Sequence, residues 1–305
     1  MKNNIKSSLA PICLFTYNRL EETKNTINAL KKDVLAADSV LIIFSDGSKN
    51  VGAKNKVDEV RTYLKTVSGF NKVEIVESPI NKGLGESIIA GVSKVVDQYG
   101  KAIVLEDDLS CTPNFLSYMN TNLDFYEKDS RIISVCGYGL KIKKPKHYKE
   151  DVYLYGRSSS WGWATWQDRW KTIDWEVKDW EVFKKDRKAI KAFNYNGSDM
   201  FKMLKSVTEG GENSWAIRFS YAQFKQNKYS IMPFYSKIEN FGFGKGGTNT
   251  KFKFSRFVSN MDTTSQTEFC LSRDITVNKE IEKECYKYHN LSIRIYSRIR
   301  YILNV

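Results

Sequence analysis

The sequence predicts an α/β fold, a mainly parallel sheet with helices on both faces. Three observations predict it. Short apolar runs of strand length alternate with longer stretches of helical period through the first 140 residues. Those runs are continuously apolar, as strands buried on both faces are. Polar clusters follow successive runs, at the strand ends where open α/β sheets bind ligands.

The elements follow in order. Leu9–Phe15 is the first strand, and Arg19–Lys32 a helix with Leu20, Ile27 and Leu30 on one side. Ser39–Phe44 (VLIIF) is the second strand, and Val51–Val67 a helix striped by Val57, Val60 and Leu64. Val73–Val76 is a short strand before a helix over Gly85–Tyr99. Ala102–Leu105 is a strand, Pro113–Tyr126 a helix opened by proline, and Ile132–Val135 a strand.

Beyond Lys141 the charged stretch KIKKPKHYKED leads into an aromatic-rich half, where all seven tryptophans fall between 161 and 215. Helices are expected near Trp163–Thr172, Trp180–Phe193, Gly197–Thr208 and Trp215–Gln226, then a strand at Tyr229–Pro233 and a glycine-rich loop at Asn240–Asn249. Lys279–Asn304 reads as one basic amphipathic helix of the kind that lies on an anionic membrane or packs on its own domain. The expected division is 1–140, 141–275 and 276–305.

With 305 residues, 41% hydrophobic and 27% charged, the chain is globular rather than disordered. A net charge of +13 suits a phosphorylated substrate or an anionic surface. No RNP, KH or helix-turn-helix signature accompanies it, so a nucleic-acid partner is not expected. The five cysteines lack zinc spacing and fit a reducing, cytoplasmic compartment. The N-terminus makes a poor signal peptide, and no apolar run is long enough to span a membrane.

Four polar clusters carry the chemistry. In KAIVLEDDLSCTPNF the strand ends in Glu106, Asp107 and Asp108. Three adjacent carboxylates repel one another, by about 4 kcal/mol per pair at ~4 Å and an effective dielectric near 20. A divalent cation such as Mn²⁺ or Mg²⁺ relieves that; helix capping is the alternative use. Asp46, before a glycine, can accept the imide N–H of uracil or form an ordinary Asp-Gly turn. Thr16, Tyr17 and Arg19 follow the first strand, where Tyr17 can flank a base and Arg19 can meet a phosphate. Lys82 lies in Asn81-Lys82-Gly83-Leu84-Gly85, whose glycines permit close backbone approach. GxxxxGK[ST] and GxGxxG are absent, which argues against a P-loop or dinucleotide enzyme.

The order TYNR, SDGS, NKGLG, EDD resembles nucleotide-sugar glycosyltransferases of the GT-A fold, family two especially. The segment AIVLEDDLSCTPNFLSYM also resembles the metal-site region of N-acetylglucosaminyltransferase I, and SSWGWATWQDRW bacterial polysaccharide and lipopolysaccharide transferases. The resemblance covers residues 9–250. It implies that Asp108 binds the metal, that Glu106 and Asp107 contact the nucleotide ribose, and that Asp46 reads uracil. Arg19 and Lys82 would lie near the phosphates. Trp163, with Trp161, would form a sugar platform or belong to the core. Lys245, in the late glycine-rich loop, would meet phosphate. Where the family commonly carries a Glu-Asp pair this chain has Glu212-Asn213, so Glu212 becomes the candidate base of an inverting transfer. The implied activity moves a hexose or N-acetylhexosamine from a UDP-sugar to a saccharide or lipid-linked acceptor, at the inner face of the membrane, in bacterial surface-glycan synthesis. A sugar nucleotidyltransferase and a non-catalytic nucleotide- or glycan-binding protein are the alternatives.

Overall fold

A computed structural model of the chain describes residues 8–211, 213–242 and 259–303. The predicted alternation forms β1 (Ile12–Thr16), α1 (Leu20–Lys31), β2 (Val40–Ser45), α2 (Val51–Leu64), β3 (Lys72–Glu77), α3 (Leu84–Tyr99) and β4 (Lys101–Glu106). A short strand, β5 (Leu109–Cys111), precedes α4 (Phe115–Tyr126) and β6 (Ile132–Cys136). The second half supplies β7 (Val152–Tyr155), β8 (Trp163–Trp166), α5 (Gln167–Trp170), α6 (Trp180–Phe183), α7 (Arg187–Phe193) and α8 (Met200–Thr208). Then come α9 (Trp215–Lys225), β9 (Tyr229–Pro233), β10 (Ile238–Asn240), α10 (Lys279–His289) and α11 (Leu291–Leu303).

Eight strands form one sheet in the order β3-β2-β1-β4-β8-β6-β9-β7. β1 to β4 are mutually parallel; β8 runs antiparallel between β4 and β6, and β7 antiparallel to β9. The sheet therefore crosses residue 140, and the two halves share it. On one face α1, α2 and α4 bury Ile27, Leu30, Val60, Leu64 and Leu123. On the other, α3 and α9 bury Ile88, Val92, Val95, Trp215 and Phe219. Both faces are covered, so β1, β2 and β4 run apolar through Ile12–Phe15, Val40–Phe44 and Ala102–Leu105.

The helix expected at Trp163–Thr172 is instead strand β8 followed by a four-residue helix. Its residues alternate faces at period two: Trp163 joins the cluster under α3 and α9, while Trp166 packs on the α4 side. The expected Trp180–Phe193 helix is two helices separated by Asp186, which accepts from the backbone N–H of Lys188 and Ala189 and so caps the second. The expected C-terminal helix is also two. Asn290 is extended between them, and α10 buries Ile281 and Cys285 against its own domain.

Candidate active site

The carboxyl ends of β1, β2 and β4 lie side by side, because Phe15 is in register with both Phe44 and Glu106. That register brings three of the predicted clusters to one edge.

Glu106, Asp107 and Asp108 end β4. Asp107 is buried, and its Oδ2 has no hydrogen-bond partner. Arg19, just before α1, spans the pair: one guanidinium nitrogen pairs with Asp107 and Nη1 stands 3.1 Å from Asp108 Oδ2. Burial disfavours charge on Arg19, but the two aspartates overcome it and hold the guanidinium charged. One cation does not balance three carboxylates. Burial, then repulsion from Asp108 and Asp107, pushes the Glu106 carboxyl up to about 8. Burial pushes Asp107 up to about 6, against the pull of Arg19. A site that holds its acids at such cost in charge fits an added cation.

Among the described residues no three His, Cys, Asp or Glu side chains are grouped around one point. Magnesium-type sites seldom need such a cage, since one or two carboxylates and substrate phosphates suffice. The residues present would fit Mn²⁺ or Mg²⁺, with Asp108 as the residue that would hold it.

The other predicted residues divide. Asp46 corrects its expected role. Its Oδ1 accepts from Gly47 N and Lys82 N, each at 2.9 Å, and its Oδ2 from Asn81 Nδ2 at 3.0 Å and Gly83 N at 2.9 Å. A carboxylate offers about four acceptor positions, so none is left for a uracil imide. Asp46 instead ties the loop after β2 to the loop before α3. Gly47 is required there, because a Cβ would lie 2.6 Å from the Ile80 carbonyl oxygen. Lys82 is fixed through its backbone, and its side chain is exposed. Thr16 is buried and donates to Phe44 O at 3.4 Å, so its hydroxyl serves the framework. Tyr17 is part-exposed, its hydroxyl accepting from Lys49 N.

Trp163 is a second correction. It is 2% exposed, with Trp215 stacked at 4.8 Å and Trp170 at 5.7 Å. It belongs to the core and presents no platform to a sugar. Trp161 is part-exposed, packs edge-on against Tyr138 at 4.8 Å, and lines a cavity of about 190 Å³ with Tyr155, Arg157 and Ser220. Glu212 and Lys245 lie outside the described residues.

Three features escaped the sequence reading. β10 pairs antiparallel with β5, directly after the acidic triplet, and Phe241 N donates to Asp108 O at 3.1 Å. Gly242 then passes so close that a Cβ would overlap Asp108 Oδ2. Arg61 Nη2 donates to the Ser45, Asp46 and Ser78 carbonyls and locks the loop of Asp46 from below. Glu86, at the start of α3, accepts from Asn213 Nδ2 at 3.2 Å. None has a local motif, since each depends on a contact across the fold.

The family description "Glycosyl transferase family 2" matches residues 12–188. No curated protein sequence matches this chain. Among solved structures, the chain is similar to the mannosyltransferase PcManGT from Pyrobaculum calidifontis, solved with GDP-Man and Mn²⁺, at 10% identity and a TM-score of 0.41. That alignment covers 74% of this chain and 54% of the other, so the chain spans about half the length of that relative. It is also similar to S. aureus TarS, at 13% identity and a TM-score of 0.31, over 47% of this chain and 24% of that one. The family match runs from β1 past the carboxylate edge into α7, more than half of the sequence; the chain belongs to glycosyl transferase family 2.

Proposed function

We propose that the protein transfers a hexose or N-acetylhexosamine from a nucleoside diphosphate sugar to a saccharide acceptor, in a reaction that depends on Mn²⁺ or Mg²⁺. The observation that carries this reading is the crowding of Glu106, Asp107 and Asp108 at the edge of the sheet, balanced among the described residues by Arg19. Asp108 would hold the cation. When bound, the cation supplies positive charge against the diphosphate that leaves. Glu106 and Asp107 would take the ribose hydroxyls, and Lys82 and Lys245 the phosphates. The resemblance implies UDP as the carrier and inversion at the anomeric carbon, with a carboxylate as the acceptor's base.

The resemblance to surface-polysaccharide transferases makes a lipid-linked acceptor the natural partner. Leu291, Ile295, Tyr296 and Ile299 of α11 are exposed on a helix that also carries three arginines, which supports contact with an anionic membrane surface. No helix among the described residues is long and apolar enough to cross one.

UDP-glucose, UDP-galactose, UDP-N-acetylglucosamine and GDP-mannose, each offered with Mn²⁺, test the reading by thermal shift and by product analysis. The expected result is a shift with one UDP-sugar and release of UDP. Release of pyrophosphate from a sugar phosphate and UTP would favour a nucleotidyltransferase. Binding of a UDP-sugar without turnover would favour a non-catalytic binding protein.

A further inference from the structure

We propose that Glu86, at the start of α3, is the carboxylate that takes the proton from the attacking hydroxyl. The proposal rests on the glycosyltransferase reading above and names a residue of that same site.

Two helices bring their N-termini together at the carboxyl edge of the sheet, where Lys82 and Gly83, just before α3, donate to Asp46. α3 packs on β1 and β4, and Gly91 leaves room for the Phe15 and Phe44 rings beneath it. α9 arrives beside it: Trp215 stacks on Trp163, whose register partner Val104 lies two residues before Glu106. The two starts touch at Gly85, where a Cβ would lie 2.7 Å from the Asn213 carbonyl oxygen. Glu86 is therefore placed at the same edge of the sheet as the acidic triplet.

Its surroundings suit a base. The side chain is 54% exposed, and hence open to an incoming hydroxyl. Asn213 Nδ2 donates to Oε1 at 3.2 Å, and an Arg218 nitrogen stands 3.8 Å from the same oxygen. Arg218 also bonds the Asn213 amide oxygen and donates to Trp175 O at 2.9 Å. The guanidinium thus fixes the amide, and the amide fixes one carboxylate oxygen; both contacts fall on Oε1. Among the described residues, two other carboxylates of this edge are committed: Asp46 has four donors, and Glu77 faces Arg61 at 3.4 Å. An amide at 213 cannot take a proton, whereas a carboxylate can.

In the step, the hydroxyl proton moves to Glu86 as the hydroxyl oxygen bonds to the anomeric carbon. The bond from that carbon to the diphosphate oxygen breaks, and its electron pair leaves with the nucleoside diphosphate.

The test uses the full chain with Mn²⁺ and UDP-glucose, UDP-galactose or UDP-N-acetylglucosamine, water serving as acceptor, and reads UDP release. Glu86→Gln is expected to lower kcat by about 10²–10⁴-fold, the usual contribution of a positioned base. Donor KM and the donor-induced thermal shift should stay as in the wild type. The double variant Glu86→Gln/Asn213→Asp, which moves the carboxylate across the contact, should regain at least about tenfold over the single variant. A wild-type rate in Glu86→Gln overturns the proposal, and so does loss of the donor-induced shift, which makes Glu86 a binding or structural residue. A wild-type chain that releases no UDP overturns the glycosyltransfer reading itself, and this proposal with it.

Discussion

Asp108 is held from two sides, and its setting shows what each neighbour contributes. Arg19 pairs with its carboxylate, and Gly242 leaves the space that the carboxylate occupies. Gly242→Ala is expected to displace Asp108 and weaken Mn²⁺ binding roughly 10–100-fold, the usual cost of disturbing a ligand's support. Titration of Mn²⁺ by calorimetry checks this, and an unchanged affinity would show that Asp108 yields freely. Trp163 makes the opposite point. Trp163→Ala should cost about 3–5 kcal/mol of stability through the cavity left among Trp170, Trp215 and Phe219. Urea unfolding measures that loss. The position of the acidic triplet at a strand end was legible, because an apolar run leads straight into it. Asp46 was legible as a site residue but not in its partners, which come from residues 47 and 81–83. Trp163 was left between a sugar platform and the core, because an aromatic side chain has the same chemistry in both places.

A buried ion pair helps to fasten the elements that follow β9 to the core. Lys237 and Asp262 are 4% and 7% exposed and bonded to each other, with Asn114 Nδ2 donating to Asp262 at 2.9 Å. Burial alone would raise the Asp262 carboxyl; hydrogen bonds from Asn114, Lys237 and Thr264 outweigh it and hold it at about 2. A carboxyl depressed in the folded state stabilises above its unfolded pKa and loses that contribution as pH falls through its folded value. Stability should therefore decline between about pH 4 and about pH 2. Lys237→Met, which leaves Asp262 buried without its partner, is expected to cost about 3–5 kcal/mol near neutral pH and to flatten that decline. Denaturant unfolding across pH checks both. Parallel strands β1 to β4 were legible because runs such as VLIIF have no polar face to show. β5, β7, β8 and β10 were not, being three or four residues long and fixed by antiparallel partners distant in sequence.

Over the whole molecule, one sheet carries both halves of the chain, so the carboxylate edge and the aromatic half cannot move as independent bodies. β4 and β6, from the first half, enclose β8 from the second. The change of composition near residue 141 marks a change of role along one sheet. The exposed apolar positions of α11, in a chain of net charge +13, predict sedimentation with phosphatidylglycerol vesicles that weakens with salt. Ile295→Glu/Ile299→Glu should abolish it, and equal binding to neutral vesicles would remove the electrostatic part of the reading.

The central claim is that Asp108 joins a divalent cation to the donor's diphosphate at the end of β4. Calorimetric binding of UDP, with and without Mn²⁺, to the wild type and to Asp108→Ala tests it most directly. The account predicts that Mn²⁺ strengthens UDP binding to the wild type by at least about tenfold, or 1.4 kcal/mol, and has no effect on the folded Asp108→Ala variant. Equal enhancement in both proteins, or none in the wild type, would contradict it.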